Sequence, residues 1–255
     1  MGPDHLRKLL ARVAAGETGV EEALQSLETL PYDQLRDSEL GYARLDLHRE
    51  LRSGLPEAVF GSGKTIDDLR GIVTRLLEAN GHALVTRLDS DKARALVDEF
   101  EGAQYNERAG LVRWGGLDER AGRIAVLAAG TSDLPVAEEC AETLAFAGLR
   151  VERQYDVGVA GLHRLLAHLE EIRRADAVVA VAGMDGALPT VVAGLVTAPV
   201  VAVPTSVGYG ASFEGVAPLL TMLTGCAPGV GIVNIDNGYG AAVLAARIVS
   251  RANVD

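Results

Sequence analysis

From about residue 123 onward, nearly uninterrupted apolar runs alternate with longer stretches in which apolar positions recur every three to four residues. The short runs predict parallel strands covered on both faces, and the longer stretches predict amphipathic helices. The strands fall at Ile124 to Ala129, Val151 to Tyr155, Ala177 to Ala182, Val200 to Val203 and Gly231 to Ile235. The helices fall at Leu134 to Ala147, Leu162 to Arg174, Ala187 to Val196, Ser212 to Leu223 and Ala241 to Val249. Five such βα units predict an α/β fold, a doubly wound parallel sheet in three flavodoxin-like layers. Upstream, the spacing of Leu6, Leu9, Leu10 and Val13, and of Val20, Ala23, Leu24 and Leu27, predicts two opening helices. Extended segments follow at Tyr42 to Leu47, Ala58 to Phe60 and Ala83 to Leu88, with helices at Ile66 to Ala79 and Asp91 to Phe100. Thr65 and Asp68 form a capping-box pattern, and Gly81 follows the helix end. A linker at Gly115-Gly116 divides this smaller α/β domain, 1–117, from the larger one, 118–255.

Composition narrows the function classes. A chain of 255 residues, 48% apolar and 23% charged, has the makeup of one large or two small globular domains, not of a disordered segment. The longest apolar run, Val191 to Val203, is interrupted by Thr197 and Pro199 and is shorter than the roughly 20 residues of a spanning helix. No signal-peptide pattern opens the chain, so a cytoplasmic protein is expected. A net charge of −11 with 4% aromatic residues offers neither a basic stripe nor a base-stacking platform. Nucleic acid and membrane are therefore not expected partners. Two cysteines, Cys140 and Cys226, cannot build a disulfide framework and are read as single thiols.

In a doubly wound sheet, ligands bind beyond the carboxyl ends of the strands. The turns there are Gly130-Thr131-Ser132-Asp133, Gly183-Met184-Asp185-Gly186, Pro204 to Gly210 and Asp236-Asn237-Gly238. Thr131, Ser132 and Asp133 open a helix, whose free N–H groups and hydroxyls can hold a phosphate; Ser132 or Asp133 can equally be a simple N-cap. The turn lacks the further glycines of a dinucleotide fingerprint. Ser206, Gly208, Tyr209 and Gly210 form a loop that lets backbone approach a ligand, although such glycines also serve turns and packing. Phe60 to Thr65 misses the Walker pattern because Ala58 occupies the first glycine position, but Lys64 sits just before a helix. Cys140 shares an apolar helix face and reads as packing. Cys226 lies in the turn Thr224-Gly225-Cys226-Ala227-Pro228-Gly229, where a thiol can act as a nucleophile, although packing is the commoner fate of a lone cysteine. His163 and His168 are five apart and diverge, and His5, His48 and His82 are scattered, so no metal box or triad emerges.

Four segments resemble the LarB family: Ala128 to Ala137, Gly183 to Pro189, Pro204 to Ser212 and Cys226 to Gly238. Arg44 to Arg49 and Pro56 to Thr65 resemble that family's first domain, in family order. The second domain also resembles PurE, the aminoimidazole ribonucleotide carboxylase/mutase family, whose Ser-Asp phosphate turn is similar to Ser132-Asp133. The PurE histidine before its Leu-Pro pair is replaced here by Ala187. Where LarB carries glutamate after Gly-Met, this chain has Asp185, one methylene shorter.

The resemblance implies an enzyme that carboxylates nicotinic acid adenine dinucleotide with carbon dioxide and splits its phosphoanhydride, in nickel-pincer nucleotide cofactor biosynthesis. It implies Cys226 as nucleophile, Asp185 as base and Asp46 as a second acid. Thr131, Ser132, Asp133, Ser206, Gly208, Tyr209, Gly210 and Lys64 would contact the substrate. Magnesium would accompany the pyrophosphate, with no ligands identified and no organic cofactor. The family's habits and the apolar segments Val191 to Val203 and Ala241 to Val249 imply a homo-oligomer, tetramer or octamer. The alternatives are PurE-like purine chemistry and a non-catalytic nucleotide-binding oligomer.

Overall fold

The computed structural model describes residues 3–23, 33–34, 44–47 and 49–252. The chain divides into two compact units, Met1–Tyr105 with Val112–Gly115, and Asn106–Leu111 with Gly116–Asp255. Among the described residues no helix is long and apolar enough to cross a membrane.

The N-terminal unit opens with α1 (Pro3–Ala14). Residues 20–23 are also helical, while Leu24 and Leu27 of the second expected helix lie outside the described residues, as do Tyr42 and His48. β1 (Asp33–Gln34) pairs antiparallel with β2 (Arg44–Leu45), and α2 (Arg49–Ser53) follows. A four-stranded sheet then forms from β3 (Val59–Phe60), β4 (Ala83–Thr86), β5 (Ala103–Asn106) and β6 (Leu111–Trp114), in the order β3-β4-β6-β5. β4 runs parallel to β3 and antiparallel to β6. The α3 helix (Ile66–Asn80) starts at the expected capping box: Asp68 N–H donates to Thr65 Oγ1 at 3.2 Å and Thr65 N–H donates to Asp68 Oδ2 at 3.0 Å. Gly81 ends it at φ 75. The α4 helix (Ser90–Glu99) begins one residue earlier than its pattern predicts because Asp89 caps it, accepting from Lys92 N–H at 2.9 Å. β4 stops at Thr86, short of the expected Leu88, because Arg87 turns the chain at φ 60.

The larger unit holds five parallel strands in the order β11-β10-β9-β7-β8. These are β7 (Arg123–Ala128), β8 (Arg150–Gln154), β9 (Ala177–Ala182), β10 (Val200–Pro204) and β11 (Val230–Ile232). In order of appearance the arrangement is 2-1-3-4-5, the flavodoxin-like order, with its reversal between β7 and β9. β9 and β10 are buried at every position, as their continuous apolar runs predict. The helices are α5 (Leu134–Phe146), α6 (Leu162–Ala167), α7 (Leu169–Ile172), α8 (Leu188–Ala193), α9 (Val216–Leu223) and α10 (Gly238–Ala252). α5 and α10 pack together, and Glu139 of α5, buried, accepts from Tyr239 N–H at 3.2 Å at the start of α10. Gly238 permits that approach: a Cβ there would lie 2.2 Å from the Val136 carbonyl oxygen.

Three expected helices change form. Leu162 to Arg174 breaks at His168 into α6 and α7. Ser212 to Leu223 begins as an irregular 3₁₀ turn, Gly210–Gly215, with Phe213 at φ 47 and Glu214 at φ 51, and becomes α-helical only from Val216. The third, Ala241 to Val249, extends to Gly238 because the Asn237 side chain accepts from Gly240 N–H at 2.7 Å. The segments Val191 to Val203 and Ala241 to Val249 do not form an apolar surface: Val192, Val200 to Val203, Ala241, Ala245 and Val249 are core residues of the protomer. The large exposed apolar side chains in this unit include Tyr209, Phe213, Leu220 and Leu223 instead.

Leu127, fully buried in the central strand β7, is the most direct probe of this core. Leu127→Ala is expected to lower unfolding free energy by about 2–5 kcal/mol, read from the urea midpoint by circular dichroism.

Candidate functional site

Each parallel strand delivers its following turn to the same edge of the sheet, and at the β7/β9 reversal these turns surround a cavity of about 1060 Å³. Its walls come from Gly130 to Asp133 after β7, from Gly183 to Asp185 after β9, from Gly208 and Tyr209 after β10, and from Ser212.

The turns are held together by Asp133, which is buried. Its Oδ2 accepts from Gly130 N–H at 2.9 Å; its Oδ1 accepts from Gly183 N–H at 3.0 Å and from the Thr205 hydroxyl at 2.6 Å. One carboxylate thus ties the ends of β7, β9 and β10. Gly183 can take this place because it has no side chain: a Cβ would lie 2.3 Å from the Val207 carbonyl oxygen and 2.6 Å from Thr205 Oγ1. A second carboxylate repeats the device further along the edge, where Asp236, at φ 57, accepts from Ser206 N–H at 2.8 Å.

Around this frame sit the groups free to meet a ligand. Thr131 and Ser132 are exposed at the start of α5, and neither hydroxyl has a hydrogen-bond partner among the described residues. Asp185 is exposed, and its Oδ1 accepts from Ala187 N–H at 3.3 Å, which orients the carboxylate on its turn. Met184, at φ 56, donates its N–H to the Val207 carbonyl at 2.9 Å and so joins the β9 and β10 turns. Ser212 is 7% exposed, yet its Oγ has no hydrogen-bond partner. Such an orphan hydroxyl is costly in a finished interior and suits a cavity wall that a ligand completes.

The residues singled out in the sequence therefore separate. Thr131, Ser132, Asp133, Asp185, Gly208 and Tyr209 line the cavity. Ser206, Gly210 and Cys226 are not among its lining residues. Ser206 has its N–H committed to Asp236, and Gly210, at φ 60, begins the 3₁₀ turn. Cys226 is a free, exposed thiol on the α9–β11 connection. Gly225 seats that turn against α8, where a Cβ would lie 2.6 Å from Thr190 Oγ1. Cys140, by contrast, is fully buried, and burial pushes its thiol well above the ordinary range, which removes it as a nucleophile. Asp46 and Lys64 belong to the N-terminal unit. The Asp46 carboxylate faces Arg49 at 3.5 Å, its N–H donates to Glu57, and Lys64 stands half-buried just before the Thr65 cap. Reading the sequence passes over Asp156 and Arg164, and it names Thr205, Ser212 and Asp236 only as members of turns beyond the strands, with no role of their own.

No group of three or more His, Cys, Asp or Glu among the described residues comes together as a metal site. The cavity's carboxylates already have partners within the chain: Asp133 its three donors, Asp156 the Arg164 guanidinium and Asp185 the Ala187 N–H. This donor set does not fit a resident divalent cation.

Burial raises the Asp133 pKa above the ordinary aspartate value and nearby Asp236 adds to the rise, while the three donors oppose it. A raised folded-state pKa means the folded chain holds this proton longer than the unfolded one. Stability from this group is complete below the ordinary aspartate pKa and declines as pH rises through the folded-state value. Asp133→Asn is expected to flatten that part of the stability–pH curve in urea titrations. Asp133→Ala, which leaves Gly130 and Gly183 N–H groups unpaired, is expected to lose about 1–3 kcal/mol at every pH.

Comparison with known proteins gives the family. A model of the LarB/PurE-like N-terminal domain matches residues 37–115, and one of AIR carboxylase matches residues 123–255. An uncharacterized protein of Methanocaldococcus jannaschii is 38% identical over 254 residues, covering 96% of each chain. The N5-carboxyaminoimidazole ribonucleotide mutase of the same organism is 36% identical over 132 residues, 50% of this chain and 78% of the mutase. Treponema denticola PurE superposes with a TM-score of 0.44 at 25% identity, covering 51% of this chain and 82% of that one. With an AIR carboxylase domain behind a LarB-type N-terminal domain, the chain belongs to the LarB family of PurE-like carboxylases.

Proposed function

We propose that the protein carboxylates nicotinic acid adenine dinucleotide and hydrolyses its phosphoanhydride, giving pyridinium-3,5-biscarboxylic acid mononucleotide and AMP, a step toward a nickel-pincer nucleotide cofactor. The observation that carries the reading is the contrast between its two thiols: Cys140 is sealed in the core, and Cys226 is exposed on a Gly-Pro turn within the family motif. Ala187 before Leu188-Pro189 supports it further, since the acid of a PurE mechanism is missing there.

The chemistry needs a nucleophile. A pyridinium ring is electron-poor and does not attack carbon dioxide. Addition of the Cys226 thiolate at ring carbon 6 breaks aromaticity and makes carbon 5 an enamine carbon. Carbon 5 then attacks carbon dioxide and forms the new C–C bond. Asp185 takes the carbon 5 proton; the electron pair re-forms the aromatic ring as the C6–S bond breaks and the thiolate leaves. Water cleaves the phosphoanhydride, one phosphate remaining on each product. Thr131, Ser132 and the N–H groups at the start of α5 hold phosphate, and Asp133 and the Gly208-Tyr209 turn shape the wall. Magnesium travels with the pyrophosphate.

Because Cys226 is not among the cavity's lining residues in one protomer, the reading includes a homo-oligomer, tetramer or octamer. Its interface covers Tyr209, Phe213, Leu220 and Leu223, and assembly brings a Cys226 thiol to each cavity. Light scattering that finds a monomer at working concentration overturns this part.

A second reading, purine chemistry, is favoured by the mutase relative and the AIR carboxylase match. One assay separates the two. Protein supplied with the dinucleotide, bicarbonate and magnesium is expected to yield the dicarboxylate by mass spectrometry, and none with Cys226→Ala. Asp185→Asn is expected to slow it about 10²–10⁴-fold. Undiminished product from Cys226→Ala defeats the thiol mechanism. Interconversion of carboxylated aminoimidazole ribonucleotides, without dinucleotide turnover, establishes the second reading.

A further inference from the structure

The helices that follow β9 and β10 carry part of the cavity wall: Ala187 and Leu188 at the start of α8, and Ala217 and Thr221, one turn apart on α9, are among its lining residues. The turns bearing the proposed base and nucleophile adjoin these two helices. Asp185 stands three residues before α8, and Cys226 three residues after α9. Each has a glycine beside it, and each glycine is pressed against the other helix. A Cβ on Gly186 would lie 2.8 Å from the Pro218 carbonyl oxygen of α9, and one on Gly225 would lie 2.6 Å from Thr190 Oγ1 of α8.

Gly186, at φ 64, has a backbone reason to be glycine; Gly225, whose φ is outside the left-handed region, has none. Nor does the end of α9 require it. Thr224 donates its N–H, at 3.1 Å, and its hydroxyl, at 2.8 Å, to the Leu220 carbonyl, and Gly225 N–H donates to the Met222 carbonyl at 3.4 Å. These bonds form whatever side chain stands at 225. What an added Cβ would meet is the Thr190 hydroxyl; the next nearest atoms, the Met222 carbonyl oxygen at 3.5 Å and Thr190 Cβ at 3.7 Å, are at ordinary contact. Thr190 is β-branched and helical and has few rotamers to retreat to, so the turn or the helix would have to give by roughly 1 Å. Glycine at 225 lets the turn that carries the thiol rest directly on the helix that follows Asp185.

We infer that Gly225 and Thr190 are positioning residues: their contact seats the Cys226 turn on α8 and fixes the thiol at a set place relative to Asp185. This rests on Cys226 being the reacting thiol, and adds what places it. Gly186 against Pro218 is the matching contact, holding α9 to the Asp185 turn.

A double-mutant cycle on the full-length protein tests it. Three quantities are measured for every variant: steady-state dicarboxylate formation from nicotinic acid adenine dinucleotide with bicarbonate and magnesium, the rate at which iodoacetamide alkylates Cys226 in the folded state, where Cys140 is buried, and the urea midpoint. Gly225→Ala is expected to lower kcat about 10²-fold with KM nearly unchanged, since a misplacement of about 1 Å suffices for that loss. In a Thr190→Ala background the same change is expected to cost less than about tenfold, because the atom it meets is gone. A Thr190→Val background, which keeps a group at the Oγ1 position, gives no such relief. A contact that serves only the fold moves the urea midpoint and leaves kcat alone, or costs the same in every background; either result overturns the inference. Where Gly225→Ala does not fold, Thr190→Ile, which enlarges the seat from the helix side, replaces it: kcat lost with KM kept upholds the seat, and kcat unchanged overturns it. If the wild type forms no dicarboxylate, the substrate reading fails and alkylation decides. A rate that Gly225→Ala changes and the Thr190→Ala background restores upholds the seat; any other pattern overturns it.

Discussion

The site depends on one buried carboxylate. Parallel strands end with turns that have no reason of their own to stay together, because the ladder bonds that hold the strands stop where the turns begin. Asp133 supplies the missing connection by accepting from Gly130, Gly183 and Thr205, one donor from the end of each of three strands. A carboxylate is suited to this because it offers acceptor positions in several directions and needs no donor in return. Its desolvation is the cost, visible in its raised pKa. The cavity walls inherit their positions from this bond set: move Asp133 and the turns carrying Thr131, Met184 and Val207 lose their common anchor.

The fold of the larger unit was legible because its strands are covered on both faces. Ala177–Ala182 and Val200–Pro204 are continuous apolar runs, and little else in a chain of this kind has that form. The smaller unit was legible only in part. The capping box at Thr65 and the left-handed Gly81 bound α3 as read, since those signals are local. The β5–β6 pair escaped because Ala103–Asn106 is half polar and Arg113 interrupts the second strand; their pairing comes from the rest of the sheet, and Trp114 packing edge-on against Phe100 at 5.9 Å is long-range.

The candidate site was legible where it is made of turns and illegible where it is made of relations. Gly130 to Asp133 and Gly183 to Asp185 announce themselves by composition and by their place after apolar runs. That Asp133 faces inward and that Asp156 faces Arg164 are facts of three-dimensional arrangement. Cys226 shows the same limit from the other side. Its motif names its chemistry, and only the fold shows that within one protomer it is not among the residues lining the cavity.

Among the helices that begin on the carboxyl-end side of the sheet, α5 and α10 each present the positive end of a helix dipole. They are not equivalent. The start of α10 is already occupied by the chain itself: the Glu139 carboxylate sits against Tyr239 N–H, and Gly238 is pressed onto the Val136 carbonyl. The positive end of that dipole is met by a buried carboxylate of the same chain. The two helix starts thus differ in what faces them: the exposed hydroxyls of Thr131 and Ser132 at one, the chain's own carboxylate at the other. A substitution that removed Glu139 would do more than loosen a helix: it would leave the Tyr239 N–H and the dipole of α10 without the carboxylate that faces them.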